Sequence, residues 1–246
     1  IAAQPEVPEA TAEVITGLDK LSIGRVTIVD GTFVYRDRQS GTEETLDGVN
    51  LTMDMPRITG PGSVKGTFRY LGVEHEIALK VGEREHADRF EQIPVDLTLS
   101  TAGGSANLGG TAFAGDNLFA GTWTAKGDSL RTFLAAMAPL PDAPGFGKFA
   151  LDGKLVATNA DVLVESFAGT LGNVPVQGGL RAAYDRERPG VGMKLALGKV
   201  DLAQFTAAGG GDGGSSATSG SDPIDFSMLG LLDANVDFTA EEIVSG

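Results

Sequence analysis

Histidines and paired carboxylates are the residues of this chain that could move a proton, and their surroundings decide what they do. The 246 residues include two histidines, His75 and His86. A nucleophile–histidine–acid triad needs an imidazole held between its two partners. His75 lies in Val73-Glu74-His75-Glu76-Ile77, where alternation puts it on the face of Val73 and Ile77, so a half-buried strand histidine is expected. His86 falls in the charged stretch 83–92 (EREHADRFEQ), which reads as a surface loop or one helical turn. No Gly-x-Ser-x-Gly elbow accompanies either histidine. The pairs Glu43/Glu44, Glu83/Glu85 and Glu241/Glu242 are of the type that hydrolyses glycosides. Each sits among other charges, with nothing nearby to desolvate one carboxyl and raise its pKa.

Other chemistries fall to composition. With no cysteine there is no disulfide framework, zinc ribbon or thiol nucleophile. Two histidines do not make a multi-histidine metal centre, and no phosphate-binding glycine loop is present. Gly209-Gly210-Gly211-Asp212-Gly213 is faintly like a calcium-binding turn but reads better as linker. Asn50-Leu51-Thr52 matches a glycosylation sequon inside an expected strand and is treated as chance. No catalytic, cofactor-binding or metal-binding residue is therefore expected. The excess of 33 Asp+Glu over 19 Lys+Arg, a net charge of −14, leaves no basic stripe for nucleic acid. No apolar run reaches the roughly 18 residues that span a bilayer. Starting at Ile1 without a signal-peptide pattern, the chain is expected to be an internal fragment, so an upstream membrane anchor stays open.

The elements that would position any site are strands. Residues 1–20 read as a Pro/Glu-rich linker. From Leu21 the apolar residues recur with period two. Val26 and Ile28 lead to Asp30-Gly31, a two-residue hairpin signal, with Phe33 and Tyr35 on the returning arm. Val49, Leu51, Met53 and Met55 share a face. Phe68 and Tyr70 precede a turn at Leu71-Gly72, and Ile77, Leu79 and Val81 follow it. The alternation resumes at Val95, Leu97 and Leu99 and again from Phe149 to Leu197. One segment breaks it: residues 129–137 (SLRTFLAAM) carry Leu130, Phe133, Leu134 and Met137 at helical spacing behind an Asp128 or Ser129 cap. This helix should cover an end or a face of the sheet. Residues 207–222 are a Gly/Ser linker, and 223–246 begin a further β unit. The expected fold is mainly β, about eleven strands in consecutive antiparallel hairpins, curved like a taco or jelly roll, with a capping helix near 129–137.

The ordered succession LSIGRVTIVDGTFVYRDRQSGTEETLDGVNLTMDMP, GSVKGTFRYLGVEHEIALKVG, GTWTAKGDSLRTFLAAM, PGFGKFALDGKL and GKVDLAQF resembles the AsmA family of bacterial envelope proteins, over about 220 of the 246 residues. The resemblance makes 21–206 an AsmA-like β domain. It implies a periplasmic segment tethered to the inner membrane by a helix outside this chain, and a place among bridge-like lipid-transfer proteins with an apolar β groove. It supplies no catalytic residues. Phospholipid or another acyl-chain lipid, with inner- and outer-membrane envelope proteins, would be the partners, and lipid transport or outer-membrane homeostasis the role.

The residues give that expectation a mechanism. On a curved sheet one period-two face would line a trough. The candidate lining is Val49, Leu51, Met53, Phe68, Tyr70, Ile77, Leu79, Val95, Leu97, Leu99, Phe149, Leu151, Leu155, Val162, Val164, Leu195 and Leu197. Burial stabilises an acyl chain by about 0.8 kcal/mol per methylene, so a chain of about sixteen carbons gains on the order of 12 kcal/mol before ordering costs, without a polar anchor. Glycines inside strands (Gly66, Gly110, Gly121, Gly153, Gly169) would permit curvature. The same alternation also builds the dry core of a β-sandwich. A structural or protein-interaction module with a packed core is the alternative, and an enzyme acting on envelope polysaccharide a third.

Overall fold

The computed structural model describes residues 24–36, 43–57, 60–87, 90–114, 118–136, 140, 142–184, 190–205 and 233–244. The expected linkers 1–20 and 207–222, Met137, the Gly209–Gly213 run and the side chains of Glu85 and His86 lie outside the described parts.

The strands follow in chain order: β1 (Gly24–Arg36), β2 (Glu43–Met55), β3 (Gly62–Tyr70), β4 (Val73–Val81), β5 (Glu85–Ala87), β6 (Phe90–Thr101), β7 (Gly104–Ala114) and β8 (Leu118–Gly127). A short helix, α1 (Leu130–Phe133), precedes β9 (Phe149–Ala157), β10 (Asp161–Leu171), β11 (Val174–Ala183), β12 (Gly190–Asp201) and β13 (Asp233–Val244). All belong to one sheet in the order β1-β2-β3-β4-β6-β7-β8-β9-β10-β11-β12-β13, with β5 paired to β6. Every pairing is antiparallel except β12–β13, which is parallel. The expected mainly β, consecutively paired sheet is what forms. Its last strand does not open a separate sheet but lies beside β12, a pairing that requires a crossover connection.

Three local expectations change. Asp30-Gly31 is not a hairpin: both arms of β1 pair with β2, and Asp30 takes φ +50° inside a bulge. There two residues, Val29 and Asp30, oppose Asn50 alone. One step further along, Asp47 and Gly48 (φ +55°) oppose Thr32, so the second irregularity cancels the first and restores the register. Asn50 ties the two together, its Oδ1 accepting from the Asp30 N–H at 3.0 Å and its Nδ2 donating to the Gly48 carbonyl at 2.9 Å. Second, part of the charged 83–92 stretch is the β5–β6 hairpin, in which Glu85 pairs with Gln92 and Ala87 with Phe90. Third, the helix is one turn. Ser129 caps it as expected, its Oγ accepting from the Thr132 N–H at 3.1 Å, but the helical bonding stops at Leu134. Four residues cannot sustain a helix on propensity; packing holds this one. The Leu71-Gly72 turn forms as read, both residues at positive φ (48° and 79°).

The tightest packing sits at one end of the sheet. Phe149 is 1% exposed and its ring lies 5.3 Å from Phe133 of α1. Val174, two strands over in the row of Phe149 and Leu171, is buried as well. Phe146 meets Phe205 edge-on at 5.5 Å. Thus α1 caps an end rather than covering a face.

Candidate functional face

Register converts alternation into two faces, because residues paired across strands point the same way. One row runs Ile28, Leu51, Gly66, Ile77, Leu99, Ala106 across β1 to β7, and continues Ala125, Leu151, Gly169, Val176, Leu197, Ala240 to β13. The next row is Val26, Met53, Val64, Leu79, Leu97, Leu108, then Trp123, Gly153, Phe167, Gly178, Leu195, Phe238. Neither contains a charged, hydroxyl or amide side chain. The row between them on the reverse face begins Thr27, Thr52, Lys65 and ends Gln177, Ala196, Thr239.

All seventeen residues of the expected lining fall on the apolar face. Leu51, Ile77, Leu99, Leu151 and Leu197 are in the first row, and Met53, Leu79, Leu97 and Leu195 in the second. Val95 pairs with Val81, and Leu155 with Val164, one row beyond; Val162 faces Ala157 in the row after that. On the other side Phe68 pairs with His75, Tyr70 with Leu46 and Val73, and Phe149 with Gly127 and Leu171. Val49, 1% exposed, faces Gly31. The structure thus distributes the seventeen over the breadth of the sheet rather than gathering them at a point. Most are half-buried. Among the described residues no second sheet lies over them: outside the sheet there are only α1 and short turns.

The expected lining included Phe68, Tyr70 and Phe149 but missed three further aromatics of this face, Phe119, Trp123 and Phe167. Trp123 and Phe167 lie on it with ring centres 6.4 Å apart. They lie over glycines: a Cβ on Gly153 would stand 2.9 Å from Trp123 Nε1, and one on Gly178 would stand 2.9 Å from Phe167 Cζ. Phe119 covers Gly110 and Gly121, and Phe149 covers Gly104 and Gly127, in the same way. These glycines make room for rings lying on the sheet. The bulge at Glu165 hides Phe167 from simple alternation, since Val164 and Phe167 share a face three residues apart.

The groups considered for proton chemistry are separated. Glu43 accepts from Arg36 Nε at 2.6 Å, while Glu44, on the opposite face, accepts from the Tyr70 hydroxyl at 2.9 Å. That hydrogen bond raises the Tyr70 pKa. Glu242 pairs with Lys199 at 2.9 Å. His75 is buried more deeply than expected, 7% exposed, and stacks on Phe68 at 5.1 Å with the rings 16° from parallel. Among the described residues neither of its nitrogens has a partner, and burial lowers its pKa.

A concavity of about 780 Å³ spans β8 to β13. Its lining draws on both registers of the sheet: Trp123, Phe167 and Leu195 from the apolar rows, and Lys154, Ser166, Lys194, Asp237 and Thr239 from the rows between them. The small side chains Ala168 and Ala196 leave the space.

No family model, no curated protein and no solved structure matches the chain. No helix among the described residues is long and apolar enough to cross a membrane.

Proposed function

We propose that the apolar face holds the acyl chains of phospholipid or a similar lipid, and that the chain is a non-catalytic envelope segment for lipid transport or outer-membrane homeostasis. One observation carries this reading: two apolar rows run unbroken through all twelve consecutively ordered strands of a sheet that, among the described residues, no second sheet covers. A single-layer sheet ordinarily needs a partner layer to bury such a face, and an acyl chain is one. The resemblance to the AsmA family points the same way and gives the periplasm, with an inner-membrane tether, as the location. A face without a polar anchor in its central rows also suits a ligand that slides.

Trp123 makes the test direct, because the chain has one tryptophan and it lies on this face. Phospholipid brominated or spin-labelled in its acyl chains should quench Trp123 fluorescence, and native mass spectrometry should recover lipid-bound protein. Unchanged fluorescence together with only lipid-free protein would overturn the proposal.

A protein-interaction module is the second reading, favoured by the outer strands. Val29, Phe33, Val34 and Tyr35 on β1, and Val236, Phe238 and Ile243 on β13, are exposed. An edge strand bearing such residues can accept another strand. Lipid-independent capture of an envelope protein, abolished by Phe238→Lys, would favour this reading over the first.

A further inference from the structure

His75 lies toward the tightly packed end of the apolar face. It pairs with Phe68, three residues after the Leu71-Gly72 turn. Glu76 pairs with Ser100, and the next residue, Thr101, pairs with Gly104, so His75 lies in line with the row of Gly104, Gly127 and Phe149. Its ring is stacked on Phe68 and both nitrogens are buried without hydrogen bonds. A neutral imidazole in such a place already leaves a donor and an acceptor unsatisfied. An imidazolium would leave two donors and a full charge out of water.

Among the described residues no counter-charge stands ready on the strands around it. On β4, Glu74 and Glu76 alternate to the reverse face, and Arg69 of β3 pairs there with Asp47 of β2 at 3.0 Å. On β6, Ser100 and Thr101 are uncharged, and the Thr101 hydroxyl accepts from the Gly103 N–H at 3.2 Å. Glu44 of β2 is the acidic group on the same face, and the Tyr70 hydroxyl already occupies it at 2.9 Å. Arg131 of α1 is paired with Asp142 at 3.6 Å and is exposed.

We propose that His75 is a proton-operated release for the apolar face: protonation drives its ring toward water, unstacks it from Phe68 and loosens the β3–β4 end, so that bound lipid is let go on acidification. This rests on the lipid reading above. The sign follows from the folded state favouring the neutral ring: its contribution to stability is complete above the ordinary histidine pKa of about 6.5 and is lost as pH falls below it. An anionic bilayer, at about −30 mV, concentrates protons at its surface. Release would therefore be favoured where a lipid is to be delivered.

Two measurements on the whole chain separate this from the lipid reading. Hydrogen exchange without lipid, corrected for the intrinsic effect of pH, should show protection of β3 and β4 falling several-fold between about pH 7 and pH 5, either side of the histidine range. His75→Phe, which keeps the stack, should abolish that fall. Release of a fluorescent phospholipid should quicken over the same range in the wild type and not in His75→Phe. If wild type and variant show the same exchange at both pH values, the switch is wrong even if lipid binds. If the exchange changes as expected but labelled phospholipid binds at neither pH, the opening stands as a property of the sheet and the release step falls with the lipid reading. Should His75→Phe fold poorly, His75→Leu and a nuclear magnetic resonance titration of the wild-type ring decide the matter: a ring that titrates at or above about pH 6.5 overturns the proposal.

Discussion

The apolar face is made in two ways. From β2 to β6 its second row is made of aliphatic side chains that stand beside one another: Met53, Val64, Leu79 and Leu97 are successive members. From β8 to β11 the same row reads Trp123, Gly153, Phe167, Gly178, alternating a ring with nothing. Both arrangements remove polar groups from the face, but they respond differently to change. An aliphatic carpet loses stability when a side chain is cut back. A floor of rings over glycines loses it when a glycine gains one.

The largest effects should come where backbone conformation and space coincide. Gly66 and Gly169, one in each half, have φ of +151° and +153°, and a Cβ on either would run into the carbonyl oxygen of Asn50 or Ala150. Gly66→Ala and Gly169→Ala should each cost on the order of 3 kcal/mol or more, or prevent folding, as read from urea unfolding. Equal damage at both would show that the halves share this constraint despite their different carpets. Next comes the packed end. Phe133→Asp should cost about 3 kcal/mol by placing a carboxylate against Phe149, and an unaltered melting temperature would refute the placement of α1.

Two substitutions then test the contrast itself. Leu79→Ala should cost about 2 kcal/mol, the low end for a leucine truncation because the side chain is half-buried. Gly178→Ala should cost a similar amount, about 2 kcal/mol, by the opposite route, pressing on Phe167 and on the Lys194 carbonyl. A neutral Gly178→Ala would mean that the ring half is as pliable as the aliphatic half. The smallest effect belongs to the β12–β13 ion pair, whose side chains are 64% and 55% exposed. Lys199→Ala should change stability by about 0.5 kcal/mol or less in the same unfolding assay.

The two halves also differ in how openly the sequence declares them. In the aliphatic half the run Leu97, Thr98, Leu99 states its faces outright, and the pairing of β3 with β4 follows from alternation plus the Leu71-Gly72 turn. The ring half hides because glycine fills apolar positions: Gly121 and Gly153 read as places where a strand can curve, and Gly178 gives no apolar signal, yet here all three are the shelves on which rings rest. Bulges cost legibility as well. Asp30-Gly31 has the composition of a hairpin turn, and only the compensating irregularity at Asp47-Gly48, bridged by Asn50, shows that the strand continues. The burial of His75 depends on Phe68 and the packed end, which alternation alone does not place. Its face was legible; its isolation from hydrogen-bond partners was not.

The order of the strands has a consequence for how the molecule is assembled. Apart from the short β5, each strand up to β12 pairs with its predecessor in the chain, so loop closure remains local and its entropic cost small. Such a sheet can grow from its first hairpin by adding one strand at a time, with nearest-neighbour energetics like those of a repeat array. A chain delivered end-first through a narrow pore could then fold as it emerges, lengthening each apolar row strand by strand. The parallel pairing of β13 is the exception, and it would be the last and slowest seam to close.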